Sequence, residues 1–482
     1  MGWISHRGRH VAPLARGAVA ALALLTARPA SAEEPSSGAP PTPAPNAPSL
    51  HVMTLPEAIG YARAHQPAIR AALARVSARE AEAKIPGAQW SPLVGVTGQL
   101  FGATANNTTG TFITPTFMDV PRIGGTRVTS SGSFQPYAST FVGAGVTQQI
   151  FDFGRIAAQS AAADALVDVE KQRARSETLD VTFDVEESYF AVFAAKAILT
   201  ASDDAFERSR VHRDLAKAGV DAGLRNPIEL TRAQADLTRF DIGRIRARGG
   251  LAVAQAVLAA TVGVTDTALD VAAAPPTASE MPALHIAIQQ AAARDPRILQ
   301  ALAQLKAEEQ RTRAVGAELR PDVFVTGTLS GRAGGAPPSG NGSAADASGW
   351  LPYVPNWDVG LVFSWPLFDG TVSARENASR AHEQVRREEI AVVRYQQVAA
   401  IRQAFGAVDV ARATLPGLQR AVEAARANYA QADARFRAGL GTSVELADAE
   451  ALRTEADIQL ALGQFELART RSMFGRAIGE GF

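Results

Sequence analysis

The 482-residue chain contains no cysteine. That absence excludes disulfides, thiolate metal sites, a cysteine nucleophile and a lipidated N-terminal cysteine. The chain also lacks an excess of charge of either sign. Lys+Arg and Asp+Glu number 48 each, so the formal net charge is zero. Nucleic-acid binders usually carry a basic surplus, and no nucleic-acid partner is expected. The seven histidines are scattered, with no HExxH or paired ligand spacing, which argues against a zinc hydrolase. No nucleophile–base set, P-loop or metal cluster is visible, so the chain reads as neither an enzyme nor a cofactor or metal binder. Past the N-terminus no stretch stays apolar for ~18 residues, so no transmembrane helix is expected.

What is present begins with a targeting segment. Arg7, Arg9 and Arg16 form a basic n-region, 17–27 is a short apolar run, and Ala30-Ser31-Ala32 supplies small residues for cleavage. The expectation is a signal peptide over 1–32 and a Pro-rich tether over 33–49. Apolar residues make up 46% of the chain, enough to bury a sizeable core.

The remainder repeats itself. HQPAIRAALARVSAREAEAKIPGAQWSPLVGVTG (65–98) aligns without gaps to RDPRILQALAQLKAEEQRTRAVGAELRPDVFVTG (294–327). Pro67 matches Pro296, Pro92 matches Pro321 and Gly98 matches Gly327, all at an offset of 229. Later, Gly223-Leu224 matches Gly439-Leu440 and Glu229-Leu230 matches Glu445-Leu446, both at 216. Two copies of one unit are expected over 50–265 and 283–482, joined by a linker at 266–282. The period is far longer than that of a solenoid.

Each unit reads helix, strand, loop, strand, long helix, turn, long helix. Thr54-Leu55-Pro56-Glu57 opens the first helix as a capping box, and Pro92 stops it. In 93–101, Val94, Val96 and Leu100 alternate with Thr97 and Gln99. In the second unit Val323, Val325 and Leu329 alternate with Thr326, Thr328 and Ser330. Their partners are 141–150 and 357–368, each about the length that a tilted strand needs to cross a bilayer. Open strand edges are not tolerated in lipid. Four strands therefore either form a soluble sheet against the helices or are pooled with those of other chains into one barrel. The targeting segment favours pooling. So do Trp350, Tyr353, Trp357 and Trp365 around the last strand, placed like an interfacial girdle.

Proline is absent from 153–222, and a seven-residue period runs through that stretch and through 370–438. Ile401, Val408, Leu415, Val422, Tyr429 and Phe436 recur every seven, with Ala404, Ala411, Leu418, Ala425 and Ala432 three residues on. Val185, Val192, Leu199, Phe206, Arg213 and Val220 are the counterparts in the first unit. Large residues at a and mostly small ones at d make a left-handed coiled-coil seam. Arg213, Arg244 and Arg453 interrupt it, and Pro416 is expected to kink the second long helix without ending it. Both long helices stop at a glycine, Gly223 and Gly439. Asn226-x-x-Glu229 and Thr442-x-x-Glu445 then read as capping boxes for return helices.

This ensemble resembles the TolC-type outer-membrane efflux channels over essentially all of 50–480. The resemblance implies a mainly α fold with membrane β. Long coiled-coil hairpins would form an α-barrel in the periplasm, and four amphipathic strands per chain would build a trimeric twelve-stranded barrel in the outer membrane. It further implies a homotrimer in outer-membrane lipid, docked on a periplasmic adaptor and an inner-membrane pump or ABC exporter. Drug, metal-ion and protein export share such a duct, and the pump makes most of the choice. The resemblance also places gate carboxylates at Glu445 and Asp448, with Glu229 at the matching first-unit position. It makes the tips Gly223, Leu224, Gly439 and Leu440 the adaptor-docking surface. Residues 445 and 448 share a helix face, and threefold symmetry would make carboxylate rings that favour cations. Capping and the helix dipole explain the same acids without a gate. Gly441 stands where relatives often carry an arginine of the gate ion pairs, and Phe436 reads more simply as an a-position core residue. A single-chain diffusion porin and a periplasmic coiled-coil scaffold are the alternatives. The long heptads count against the first, and a scaffold would be a soluble monomer or filament.

Overall fold

The computed structural model describes residues 51–104, 136–264, 269–272, 281–333 and 356–480. The expected signal peptide (1–32), the tether (33–49), Trp350 and Tyr353 lie outside the described residues.

The first half runs β1 (His51–Met53), α1 (Leu55–His65), α2 (Pro67–Glu82), α3 (Lys84–Ala88), β2 (Leu93–Thr104), β3 (Pro136–Phe151), α4 (Arg155–Asp221) and α5 (Pro227–Val262). The second runs β4 (Leu269–Val271), α6 (Leu284–Arg294), α7 (Pro296–Ala317), β5 (Asp322–Ala333), β6 (Asn356–Ser364), α8 (Gly370–Arg437) and α9 (Ser443–Ile478). The single helix expected before each first strand is broken. Gln66 and Asp295 are extended, with ψ of 124° and 120°, because the residue before a proline avoids the α region. Asp295 is fully buried and caps α7 by accepting from the Arg297 amide at 2.7 Å. Part of the expected linker is structured as well. Leu269 and Val271 are buried, and β4 pairs in parallel with β1.

The long helices α4 and α8 have 67 and 68 residues, about 100 Å each at the helical rise. The 36-residue return helices α5 and α9 cover only about half of that length. Towards the strands, α2 packs on α4, and α7 packs on both α4 and α8. Away from them, α4 pairs with α5 and α9, and α8 pairs with α9. Pro416 lies inside α8, which continues through it.

The heptad seam is where the core sits. Val185, Val192, Leu258 and Val262 form one buried cluster with Ala58 and Ala62. Ile401, Val408, Phe474 and Ile478 form another with Ala287 and Ala291. The two clusters use positions related by the same offsets, 216 and 229, as the sequence match. Burying each such aliphatic side chain is worth about 1.5–3 kcal/mol.

The four longer strands make one antiparallel sheet in the order β2-β3-β5-β6. Register puts Val94, Val96 and Leu100 on the same face as Val142 and Val146, and continues it through Val325 and Leu329 to Trp357, Val359 and Leu361. Most of these side chains are exposed, Val96 at 71% and Val359 at 73%. Thr97, Thr147, Thr326, Thr328 and Asp358 take the other face, and the Thr328 hydroxyl donates to Asp358 across the strands. The alternation expected from sequence is therefore present, and among the described residues β2 and β6 are left as unpaired edges. Trp357 and Trp365 stand near opposite ends of β6, and the Trp365 indole donates to the Leu319 carbonyl at 3.2 Å.

Candidate functional site

The two hairpin tips are built alike. Gly223 and Gly439 take φ of +69° and +73°, a region costly for any residue with a Cβ. The amides of Gly223 and Leu224 then reach the carbonyls of Val220 and Gly219 at 2.9 and 2.8 Å. Gly439 and Leu440 bond Phe436 and Arg435 at 3.0 and 2.9 Å. This Schellman closure turns the following leucine outward, leaving Leu224 83% and Leu440 75% exposed.

Only half of each expected capping box forms. Asn226 accepts from the Ile228 amide at 3.1 Å, and Thr442 from the Glu445 amide at 3.2 Å. The two glutamates turn to arginines instead. Glu229 is held by Arg225 at 2.8 Å, and Glu445 lies 3.8 Å from Arg435. The second pair is exposed and weak; the first is part of a bridge between hairpins. The other Arg225 nitrogen donates to the Phe436 carbonyl at 2.6 Å, and the guanidinium lies 3.8 Å from the Phe436 ring centre. Arg225 and Gly441 are counterparts at the offset of 216. A Cβ on Gly441 would lie 3.1 Å from the Phe436 amide nitrogen and 3.2 Å from the Arg435 Cβ. The tip thus carries its arginine in the first unit, where the sequence reading did not seek it. Phe436 is buried against Tyr429, Leu446 and Ala449.

Asp448 is exposed one turn beyond Glu445. It also acts across to α5. Burial raises the carboxyl pKa of Asp236, Asp448 raises it further, and Arg239 opposes. Glu229, Asp236, Glu445 and Asp448 thus place four carboxylates in the tip-proximal turns of the two return helices.

Behind the tips lies a buried polar layer that sequence reasoning missed. Glu450 is 1% exposed and receives Arg208 through both Nε and Nη2 at 2.8–3.0 Å. Thr454 donates to the same carboxylate at 3.2 Å. The Tyr429 hydroxyl meets His212 Nε2 at 3.0 Å, and Asp433 is 3.6 Å from that nitrogen. Burial lowers the His212 pKa, with Asp433 and Glu450 opposing and Arg437 and Arg208 assisting. Burial and the adjacent Glu450 and Asp433 push Tyr429 up to about 12, so the phenol stays neutral. Two seam-breaking arginines are explained here. Arg244 stacks on Phe206 at 4.0 Å and Arg453 on Tyr429 at 4.9 Å, each placing a cation on an a-position ring. Among the described residues, no group of three or more His, Asp or Glu is arranged to hold a metal ion.

Known proteins share this architecture. The family model described as "Outer membrane efflux protein" matches residues 58–264 and 287–480. Protein CyaE of Bordetella pertussis is 28% identical over 421 residues, covering 86% of this chain and 80% of that protein. The CusC structure superposes with a TM-score of 0.71 at 16% identity, covering 93% of this chain and 99% of that one. The outer-membrane channel OprN gives a TM-score of 0.67 at 21% identity, with 89% and 90% covered.

Proposed function

The chain belongs to the outer membrane efflux protein family and is an outer-membrane efflux channel, and on that premise we propose that three copies close one exit duct. The observation that carries this reading is the sheet with an exposed apolar face and, among the described residues, two unpaired edges. Four strands are too few to close a barrel. Three chains of four give twelve, which removes every edge and turns the apolar face to lipid. The helices carry matching seams. Ile242, Ile245, Val253 and Val257 of α5, and Val385, Val392, Tyr395 and Val410 of α8, are 46–78% exposed in one chain. A neighbouring protomer would cover such stripes.

In this reading the two halves, 50–265 and 283–482, are a duplicated unit, and the helices descend about 100 Å into the periplasm. The tips at Gly223, Leu224, Gly439 and Leu440 dock a periplasmic adaptor, which in turn engages an inner-membrane pump or ABC exporter. Glu445 and Asp448, assisted by Glu229, ring the closed entrance as carboxylates on the threefold axis. A narrow, low-dielectric constriction strengthens their field and favours cations. The Arg225 bridge keeps the two hairpins of a protomer together at that end. Planar-bilayer recording tests the function. Purified protein should insert as discrete, cation-selective conductance steps, whereas protein that partitions into outer membrane yet passes no current would remove the channel.

A further inference from the structure

We propose that an outward-facing groove at the strand-to-helix junction binds the headgroup of an anionic phospholipid. This rests on the outer-membrane reading above. The groove, of about 730 Å³, runs over α7 between the start of α4 and the start of α8. Its direction follows from strand register. Phe151 pairs with Val323 and so lies on the apolar face of the sheet, and its ring meets that of Phe153 edge-on at 4.6 Å. Phe153 forms one wall of the groove. The ion pair of Arg155 with Asp322, and Gln149 with it, mark the opposite, polar face.

The floor is shallow in side chains: Gly154, Ala157, Ala158, Gly316 and Ala317. The walls are cationic. Four arginines face three glutamates, leaving a surplus of one positive charge. Arg380 is held by Glu376 at 2.6 Å, and Arg387 by Glu383 at 3.1 Å with Glu309 at 3.8 Å. Among the described residues, Arg313 and Arg320 have no carboxylate partner: Arg313 meets Gln310 at 3.5 Å and Arg320 donates to the Phe153 carbonyl at 3.0 Å. Arg313 lies one turn before Gly316 on α7, and Arg320 follows the end of that helix at Ala317. Both line the same groove, where their guanidinium groups can share one phosphate on the side away from the Glu376 carboxylate, which comes within 3.4 Å of where a Cβ on Gly316 would sit. Arginine suits such an anion through its bidentate donors.

The occupant follows from continuity with the apolar band. Phe151 and Phe153 are 51% and 40% exposed, and Phe368, beside the start of α8, is 86% exposed. A free anion would leave these rings in water. A phospholipid covers them with an acyl chain while its phosphate drops into the groove, as anionic headgroups do in basic pockets beside membrane spans. Three copies would give three lipids per channel.

The trimer purified in a mild non-ionic detergent can be titrated with phosphatidylglycerol and followed by native mass spectrometry. Up to three adducts per trimer are expected. The Arg313→Ala/Arg320→Ala double variant should bind at least about tenfold more weakly, the loss of one charge-assisted contact's worth of affinity. Gly316→Leu keeps every arginine but fills the floor, and should bind equally poorly. Unchanged binding in either variant overturns the site. So does displacement by millimolar inorganic phosphate, or equal uptake of phosphatidylcholine. Trimer mass and single-channel conductance, read on the same samples, stay at wild-type values if only the lipid site fails. Their loss in the unaltered protein would instead strike the channel reading.

Discussion

Arg225 sits in the turn of one hairpin and holds the end of the other. Its bond to the Phe436 carbonyl and its stacking on the Phe436 ring are the contacts closest to the tips that join the two halves of the chain. Arg225→Ala should raise the resting conductance of the reconstituted channel, because the hairpins then lose that constraint, while the outer-membrane yield stays normal. A neighbouring test addresses the acids. Di- or trivalent cations added from the periplasmic side should block current, and Asp448→Asn should weaken the block, with Glu445→Gln adding to the effect. If block and selectivity persist in the double variant, these residues are helix-terminal acids only. His212 gives a pH signature. Its folded pKa lies below the ordinary histidine value, so the native state binds fewer protons than the unfolded state. Stability therefore falls as pH drops through about 6.5 and levels off below the folded pKa. His212→Gln should show a shallower loss of denaturation midpoint between pH 7.5 and 5 than the wild type. At this scale the sequence was only partly readable. The acids and glycines of the tips stood out by their repeat, whereas Arg208, Glu450 and the Arg225 bridge join residues more than 200 positions apart, and no local pattern signals such a pairing.

At the scale of elements, sequence and structure agree where a period governs. The heptads give buried Ile401, Val408 and Phe436, and the alternation of 93–101 and 322–330 gives the two faces of the sheet. Agreement fails at short elements set by tertiary contact. β4 is three residues inside a Pro- and Ala-rich stretch, and only its pairing with β1 makes it a strand. The break at Gln66 was signalled by Pro67, but proline at the first helical turn is compatible with a helix start, and the apolar period continues past it. The tips yield the sharpest element-level expectation. Leu224→Asp with Leu440→Asp should abolish export while trimer yield is unchanged, since both side chains are exposed and contribute little to folding. Export assays beside blue-native gels decide it. Normal export would remove the docking role, and loss of trimer would assign the leucines to assembly.

For the whole molecule, one chain leaves too much unfinished to stand alone: two bare strand edges, an apolar sheet face and apolar stripes on α5 and α8. In the proposed barrel lipid covers the sheet face and strands of neighbouring chains pair the edges, since unpaired backbone groups in hydrocarbon cost several kcal/mol each. The charge balance, with 48 residues of each sign, fits a surface that meets water, lipid and partner proteins at different heights. Sequence alone supplied the four long strands and the long helices; the short β1–β4 pair and the register that leaves β2 and β6 unpaired among the described residues come from the structure. The most direct test is the native mass of the protein extracted from outer membranes in a mild detergent. The account predicts a trimer of the mature chain. A monomer under those conditions, or protein recovered only as a soluble periplasmic pool, would contradict it.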